Sequence, residues 1–229
     1  MGIVGIGSIV MSRAEQRVEI AAQNLANIAT PGYKSRIQFA SVLNDATSDE
    51  AAGASLVDFT SGALRTTGNP LDLAIAGNGF FVVRSAGGSV AYTRDGQFRR
   101  DAGGRLVAQD GSAVQSSSGD IVMGSGAIRV LADGTVLEND EPVARIQVVD
   151  CADKREFRAM GAGMFAAPEA QMQPASAQIR QGALEASNVS TANEMISIMA
   201  GLRSAQAGQN IVRIYDDLLG RVVSALSQS

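Results

Sequence analysis

Two stretches at opposite ends of the chain carry an apolar repeat of seven residues, and about half of its positions are small. Near the start, Val4, Met11, Val18 and Leu25 share one heptad position, while Gly7, Ala14, Ala21 and Ile28 fall three residues later. Near the end, Ile198, Ala205, Val212, Leu219 and Leu226 repeat in the same way, with Gly201, Gly208, Tyr215 and Val222 as companions. Such a period puts one narrow apolar seam along an α-helix, and glycine or alanine in the seam lets a partner helix approach closely. The spacing predicts a helix over 3–29, about 40 Å long, and a second over 194–226, about 50 Å long, at the usual helical rise. Thr191-Ala-Asn-Glu194 fits a capping box at the start of the second, with the Thr hydroxyl accepting from a free amide and Glu194 reaching back.

Between these ends the period changes to two. In LDLAIAG, Leu71, Leu73 and Ile75 face one way and Asp72, Ala74 and Ala76 the other. Short segments of this kind follow one another to about Ala167, divided by Asp-Gly and Gly-Gly pairs, and RIQVVD at 145–150 reads as a later strand. Asp95-Gly96, Asp110-Gly111 and Asp133-Gly134 are expected to supply the positive φ that tight hairpins need. The fold class expected is therefore α+β: N- and C-terminal α-helices pairing as a coiled-coil-like axial domain, with a central antiparallel all-β domain inserted between them. The expected boundaries are 1–34 and 185–229 for the helical domain and 61–167 for the β domain. The acidic, turn-rich stretch 35–60 and the Pro/Ala/Gln-rich stretch 168–184 read as connectors. Gly62-Ala63-Leu64 and Gly182-Ala183-Leu184 echo each other across the insertion and read as a strand-like pair.

Composition excludes several chemistries. The chain has no histidine, which removes Ser-His-Asp and Cys-His catalysis and His-ligated zinc. Its single cysteine, Cys151, has no intramolecular disulfide partner and reads as a small buried apolar residue. A net charge of −4 offers no basic footprint for nucleic acid or anionic lipid. MGIVGIGSIVM lacks a basic leader and an A-x-A-like site, so no cleaved signal is expected, and no apolar run is long enough for direct membrane insertion. GIVGIG lacks the preceding strand that a dinucleotide motif requires. No cofactor, metal ligand set or catalytic residue is assigned. An isolated pair of such narrow seams buries little apolar surface at about 25 cal/mol per Å². That area hardly offsets the entropy of ordering about sixty residues. The expectation is a chain whose helices complete their packing by self-assembly, with Val4, Met11, Val18, Leu25, Ile28, Ile198, Val212, Leu219 and Leu226 as the buried seam.

Three blocks carry a resemblance. AAQNLANIATPGYK resembles the N-terminal signature of bacterial flagellar rod and hook axial proteins, matching at Asn24, Leu25, Ala26, Asn27, Thr30, Gly32, Tyr33 and Lys34, with Gln23 in place of the usual first asparagine. GALRTTGNPLDLAIAGNGFFVV, then YTRDGQF and ADGTV, are similar to the stretch that opens the family's central β domain. QGALEASNVSTANEMISIMAGLRSAQ is similar to its C-terminal block, although Ala205 and Gln206 stand where an aromatic and a glutamate are usual. The resemblance implies a structural subunit of the basal-body rod, built of axial helices and exported through the flagellar type III apparatus. The implied partners are neighbouring rod subunits and copies of itself. Within the family, the short central domain argues for a rod protein rather than the longer hook subunit. The length, the compact connector after residue 34 and the divergent C-terminal helix favour a proximal rod protein over a distal one. Two readings from other classes are an extracellular β-rich binding module, which would need an aromatic platform around Tyr92, and a hydrolase drawing on Asp95, Asp110 or Asp133. For those aspartates turn geometry is the simpler account.

Overall fold

The computed structural model describes residues 3–38, 55–161 and 163–226. Most of the acidic stretch expected as the first connector, 39–54, lies outside the described residues. Contacts divide the chain into two compact units. One draws on Met1–Ala26, Arg36–Leu56 and Val189–Ser229, the other on Asn27–Ser35 and Val57–Asn188.

The first unit is built on two helices, α1 (Ile3–Ala26) and α2 (Thr191–Leu226). Val212 lies against Gly7, Met11 against Gly208 and Val18 against Gly201, so the two helices pack antiparallel. α1 ends three residues before the heptad would allow. Thr30 precedes Pro31, whose ring disfavours helical backbone in the residue before it. The chain instead turns, with the Thr30 amide donating to the Asn27 carbonyl and the Tyr33 amide to the Thr30 carbonyl. α2 begins at Thr191 rather than Glu194, and the Glu194 amide donates to the Ser190 carbonyl at 3.0 Å. The capping box expected there does not form as drawn. Glu194 Oε1 instead accepts from Asn24 Nδ2 at 3.0 Å, because the partner helix brings a buried amide within reach.

In the second unit every paired strand is antiparallel. Phe80–Arg84 is the centre of its large sheet, pairing Val90–Thr93 on one side and Ala113–Ser116 with Val148–Cys151 on the other. Its sequence, FFVVR, has no polar alternation because both faces are covered. Phe81 and Val83 enter a core with Leu73, Ile75, Phe98, Val114 and Ile121, whereas Phe80 and Val82 enter a second one with Tyr92, Cys151, Phe157 and Phe165. Burial of a phenylalanine side chain contributes about 2–3 kcal/mol, so this strand anchors the unit. A three-stranded sheet of Ile128–Val130, Thr135–Glu138 and Glu141–Arg145 adds Val130 and Val136 to the first core.

The expected echo pair forms: Leu64–Thr66 pairs with Ala183–Glu185, Leu64 opposite Glu185. Strands Met172–Pro174 and Gln178–Gln181 also form, within the stretch expected as the second connector. Backbone pairing does not require apolar side chains, so composition hid them. Two Asp-Gly turns behave as expected, with Gly111 at φ 89° and Gly134 at φ 90°. The Asp110 and Asp133 carboxylates accept from the amides of Ser112 and Thr135 two residues on. Asp95-Gly96 does not: Gly96 has no positive φ among those found, and a Cβ there would lie 1.6 Å from the Leu73 carbonyl oxygen. Glycine is needed at that point for close backbone approach. A tight turn that the Asp-Gly pattern misses sits at Asn139-Asp140, both residues at positive φ (52° and 69°), as a type I′ hairpin requires.

Candidate assembly interface

The helix pair meets along its small residues. Gly7, Ala14, Ala21, Gly201 and Gly208 are buried, and the larger Met11, Val18, Leu25, Ile198 and Val212 are half-buried at their flanks. The side chains of Val4, Leu219 and Leu226 lie outside the described residues. A Cβ on Gly201 would lie 2.6 Å from Val18 Cγ2 and 3.2 Å from the Ala14 carbonyl oxygen. On Gly208 it would lie 2.7 Å from Met11 Cγ and 3.1 Å from the Gly7 carbonyl oxygen. Ile28 is not part of this seam: it lies past the end of α1, 37% exposed, beside a cleft shared with Pro31, Arg65 and Leu184. Away from the seam α2 presents apolar side chains to solvent. Met195, Ile196, Met199, Leu202, Ile214 and Leu218 are each between 53% and 60% exposed.

Asn24 is buried at the end of the helix pair and bonds in three directions. Its Oδ1 accepts from the Arg36 amide at 2.9 Å, and its Nδ2 donates to the Arg36 carbonyl at 2.9 Å and to Glu194. An asparagine amide can imitate a strand neighbour in this way, and leaving it unbonded in the interior would cost roughly 1–3 kcal/mol. Burial pushes the Glu194 carboxyl above its usual value, opposed by the bond from Asn24.

The rest of the N-terminal signature enters the β unit. Gly32 has φ 66°, and a Cβ there would lie 2.3 Å from the Arg94 carbonyl carbon and 2.4 Å from the Asp95 amide nitrogen. Thr30 Oγ1 donates to Asn27 Oδ1 at 3.2 Å. Lys34 is fully buried: its ammonium donates to Glu185 Oε1 at 2.6 Å and to the Thr60 carbonyl at 2.7 Å. Arg94 donates to Glu185 Oε2 at 3.1 Å and to the Gly77 carbonyl at 2.8 Å. Burial pulls both cations below their ordinary pKa, and Glu185 counteracts it. Sequence reasoning does not reach Arg94 and Glu185, and it names Lys34 only as a match in the N-terminal resemblance block. The one available signal was that each lies inside one of the three resemblance blocks.

The rival chemistries find little to use. Tyr92 is 2% exposed and packs edge-on to Phe157, and Phe80 and Phe157 have ring centroids 4.6 Å apart, so these rings are core rather than a platform. Among the described residues no cluster of metal-ligating groups occurs, and no helix is long and apolar enough to cross a membrane.

Three family models match the chain in order. Residues 11–34 match the flagella basal body rod protein model, 74–138 the flagellar hook protein FlgE/F/G D1 domain, and 180–225 the flagellar basal body rod FlgEFG protein C-terminal model. The chain is 30% identical to the flagellar basal-body rod protein FlgF of Escherichia coli, over 92% of both chains. It is 32% identical to FlgF of Caulobacter vibrioides, over 93% of this chain and 91% of that one. Against FlgG of Agrobacterium fabrum the figure is 27%, over 95% and 97%.

Proposed function

The chain belongs to the flagellar basal-body rod protein family, and on that premise we propose that it is a proximal, FlgF-type rod subunit that self-assembles through its terminal helices. It is a structural protein of the flagellar basal body and not an enzyme. The higher identity to FlgF than to FlgG relatives supports the proximal over the distal type.

In this reading α1 and α2 supply a coiled-coil-like axial domain, and the β unit, which takes in Asn27–Ser35 and the stretch 168–184, stands between them in the sequence. Copies of the chain and adjacent rod subunits pack side by side through these helices, which transmit torque along the shaft. The subunit is exported through the flagellar type III apparatus. The seam residues Val4, Met11, Val18, Leu25, Ile198, Val212, Leu219 and Leu226 contribute to the packed axial layer.

The observation that carries the reading is the apolar surface left on α2 after it has paired with α1. Met195, Met199 and Leu202 lie three or four residues apart, hence on one side of the helix, and among the described residues they stand more than half exposed. Neighbouring subunits would cover them. Leu202→Asp, more than half exposed in the single chain, should leave the purified monomer as helical and as stable as the parent while rods fail to form in cells. Leu25→Asp should also block assembly with the β unit still folded. Complete rods built from Leu202→Asp subunits would count against assembly through this face.

A further inference from the structure

The chain passes between the β unit and the rest at Asn27, Ser35, Val57 and Asn188. Two stretches at these crossings, Asn27–Ser35 after α1 and the run from Ala183 to Asn188 before α2, are bound to each other. The Gly32 amide donates to the Glu185 carbonyl at 2.7 Å, and the Asn188 amide donates to the Tyr33 carbonyl at 3.4 Å. The Ser35 amide donates to Asn188 Oδ1 at 2.7 Å. The ladder that should secure them is thin. Leu64–Thr66 and Ala183–Glu185 are three residues each, and Leu64, Arg65 and Thr66 are all exposed. A two-stranded ribbon of that size is marginal by itself.

What is not thin is the charge cluster behind it. Lys34, Glu185 and Arg94 have side chains 0%, 1% and 3% exposed, with one carboxylate shared by two cations. Arg94 also donates to the Ile75 and Gly77 carbonyls and lies 5.3 Å over the Phe80 ring, so it is moored to the core strands. Glu185 Oε1 accepts from the Gly62 amide as well, which draws in the strand opposite. We infer that Lys34, Glu185 and Arg94 form a latch that fastens these two stretches to each other and to the core of the β unit, against peeling of either one. A pull through either stretch meets buried charge pairing before it reaches the short ladder. Charge arithmetic makes the arms unequal. Removing Lys34 leaves Arg94 and Glu185 as a neutral pair, whereas removing the Glu185 charge leaves two cations buried together.

The test is hydrogen exchange on the full-length monomer. In Lys34→Met the amides of Gly32, Ser35, Ala186 and Asn188 should exchange at least about tenfold faster than in the parent, as loss of charged hydrogen bonds implies. Those of Phe81, Val83 and Val114 should be unchanged. Glu185→Gln should loosen the same amides further. Unaltered exchange along the two stretches in Lys34→Met would overturn the latch. So would a uniform rise that includes Phe81, Val83 and Val114, since the cluster would then belong to the core at large. Lys34→Met keeps the neutral pair and decides the question even if Glu185→Gln does not fold. The measurement needs no assembled rod, so its failure leaves the rod assignment standing.

Discussion

Adding one methyl group at three glycines of α2 should give opposite results, depending only on what stands opposite each. Glycine in a helix interior costs about 1 kcal/mol relative to alanine, so Gly→Ala gains about that much wherever the methyl has room. At Gly220 nothing lies within 4 Å of the added Cβ, and Gly220→Ala should be about 1 kcal/mol more stable than the parent. At Gly201 the Cβ would stand 2.6 Å from Val18 Cγ2 and 3.2 Å from a backbone carbonyl. Valine holds one rotamer in a helix and cannot swing aside. An overpacking penalty of about 2–3 kcal/mol then exceeds the propensity gain, for a net loss of about 1–2 kcal/mol. Gly208 lies between: the nearest atom, Met11 Cγ at 2.7 Å, belongs to a flexible side chain, but the Gly7 carbonyl at 3.1 Å does not yield. Its net loss should be below about 1 kcal/mol. Thermal unfolding followed by the helical circular dichroism signal should therefore rank Gly220→Ala above the parent, then Gly208→Ala, then Gly201→Ala. At roughly 2–4 °C per kcal/mol for a chain of this size, the ends of that series are separable. A Gly201→Ala chain as stable as Gly220→Ala would refute close helix contact at the small residues.

Two further outcomes follow from the buried polar sites. Gly32→Ala forces a side chain into left-handed backbone and drives a methyl into the Arg94–Asp95 main chain; it should destabilise the β unit by about 3 kcal/mol, read from the near-ultraviolet signal of Tyr92 during urea unfolding. Burial raises the Glu194 carboxyl in the folded chain, so its contribution to stability is present below the unfolded carboxyl range and lost as pH rises through the raised value. Glu194→Gln, which imitates the protonated form and keeps an acceptor for Asn24, should melt above the parent at pH 7 and converge with it in acid. A gap between the two that is independent of pH would contradict that assignment.

Much of the layout was legible because it rests on period. The heptads located both helices, the alternation at Leu73 and Ile75 located the first core strand, and the Gly-Ala-Leu echo located the Leu64–Thr66 and Ala183–Glu185 pair. Errors arose where local chemistry was overruled by a neighbour. Glu194 suits a capping box, yet its carboxylate accepts from Asn24 on the partner helix. Asp95-Gly96 has a turn composition, yet its glycine serves a backbone contact with Leu73. Ile28 keeps the heptad register, yet Pro31 had already stopped the helix.

The amino-acid order alone determined where the two helices lie and where the first core strand begins, since these follow from the spacing of apolar and small residues. It also placed Lys34, Arg94 and Glu185 in three separate blocks, 34, 94 and 185 residues along, without any sign that they meet. Only the tertiary structure decided that, by closing the ladder at Glu185 and pressing Gly32 onto the Arg94 backbone. Periodicity reports a residue's side of its own element. The partner of a buried charge depends on which elements the chain brings together, and that is settled by packing.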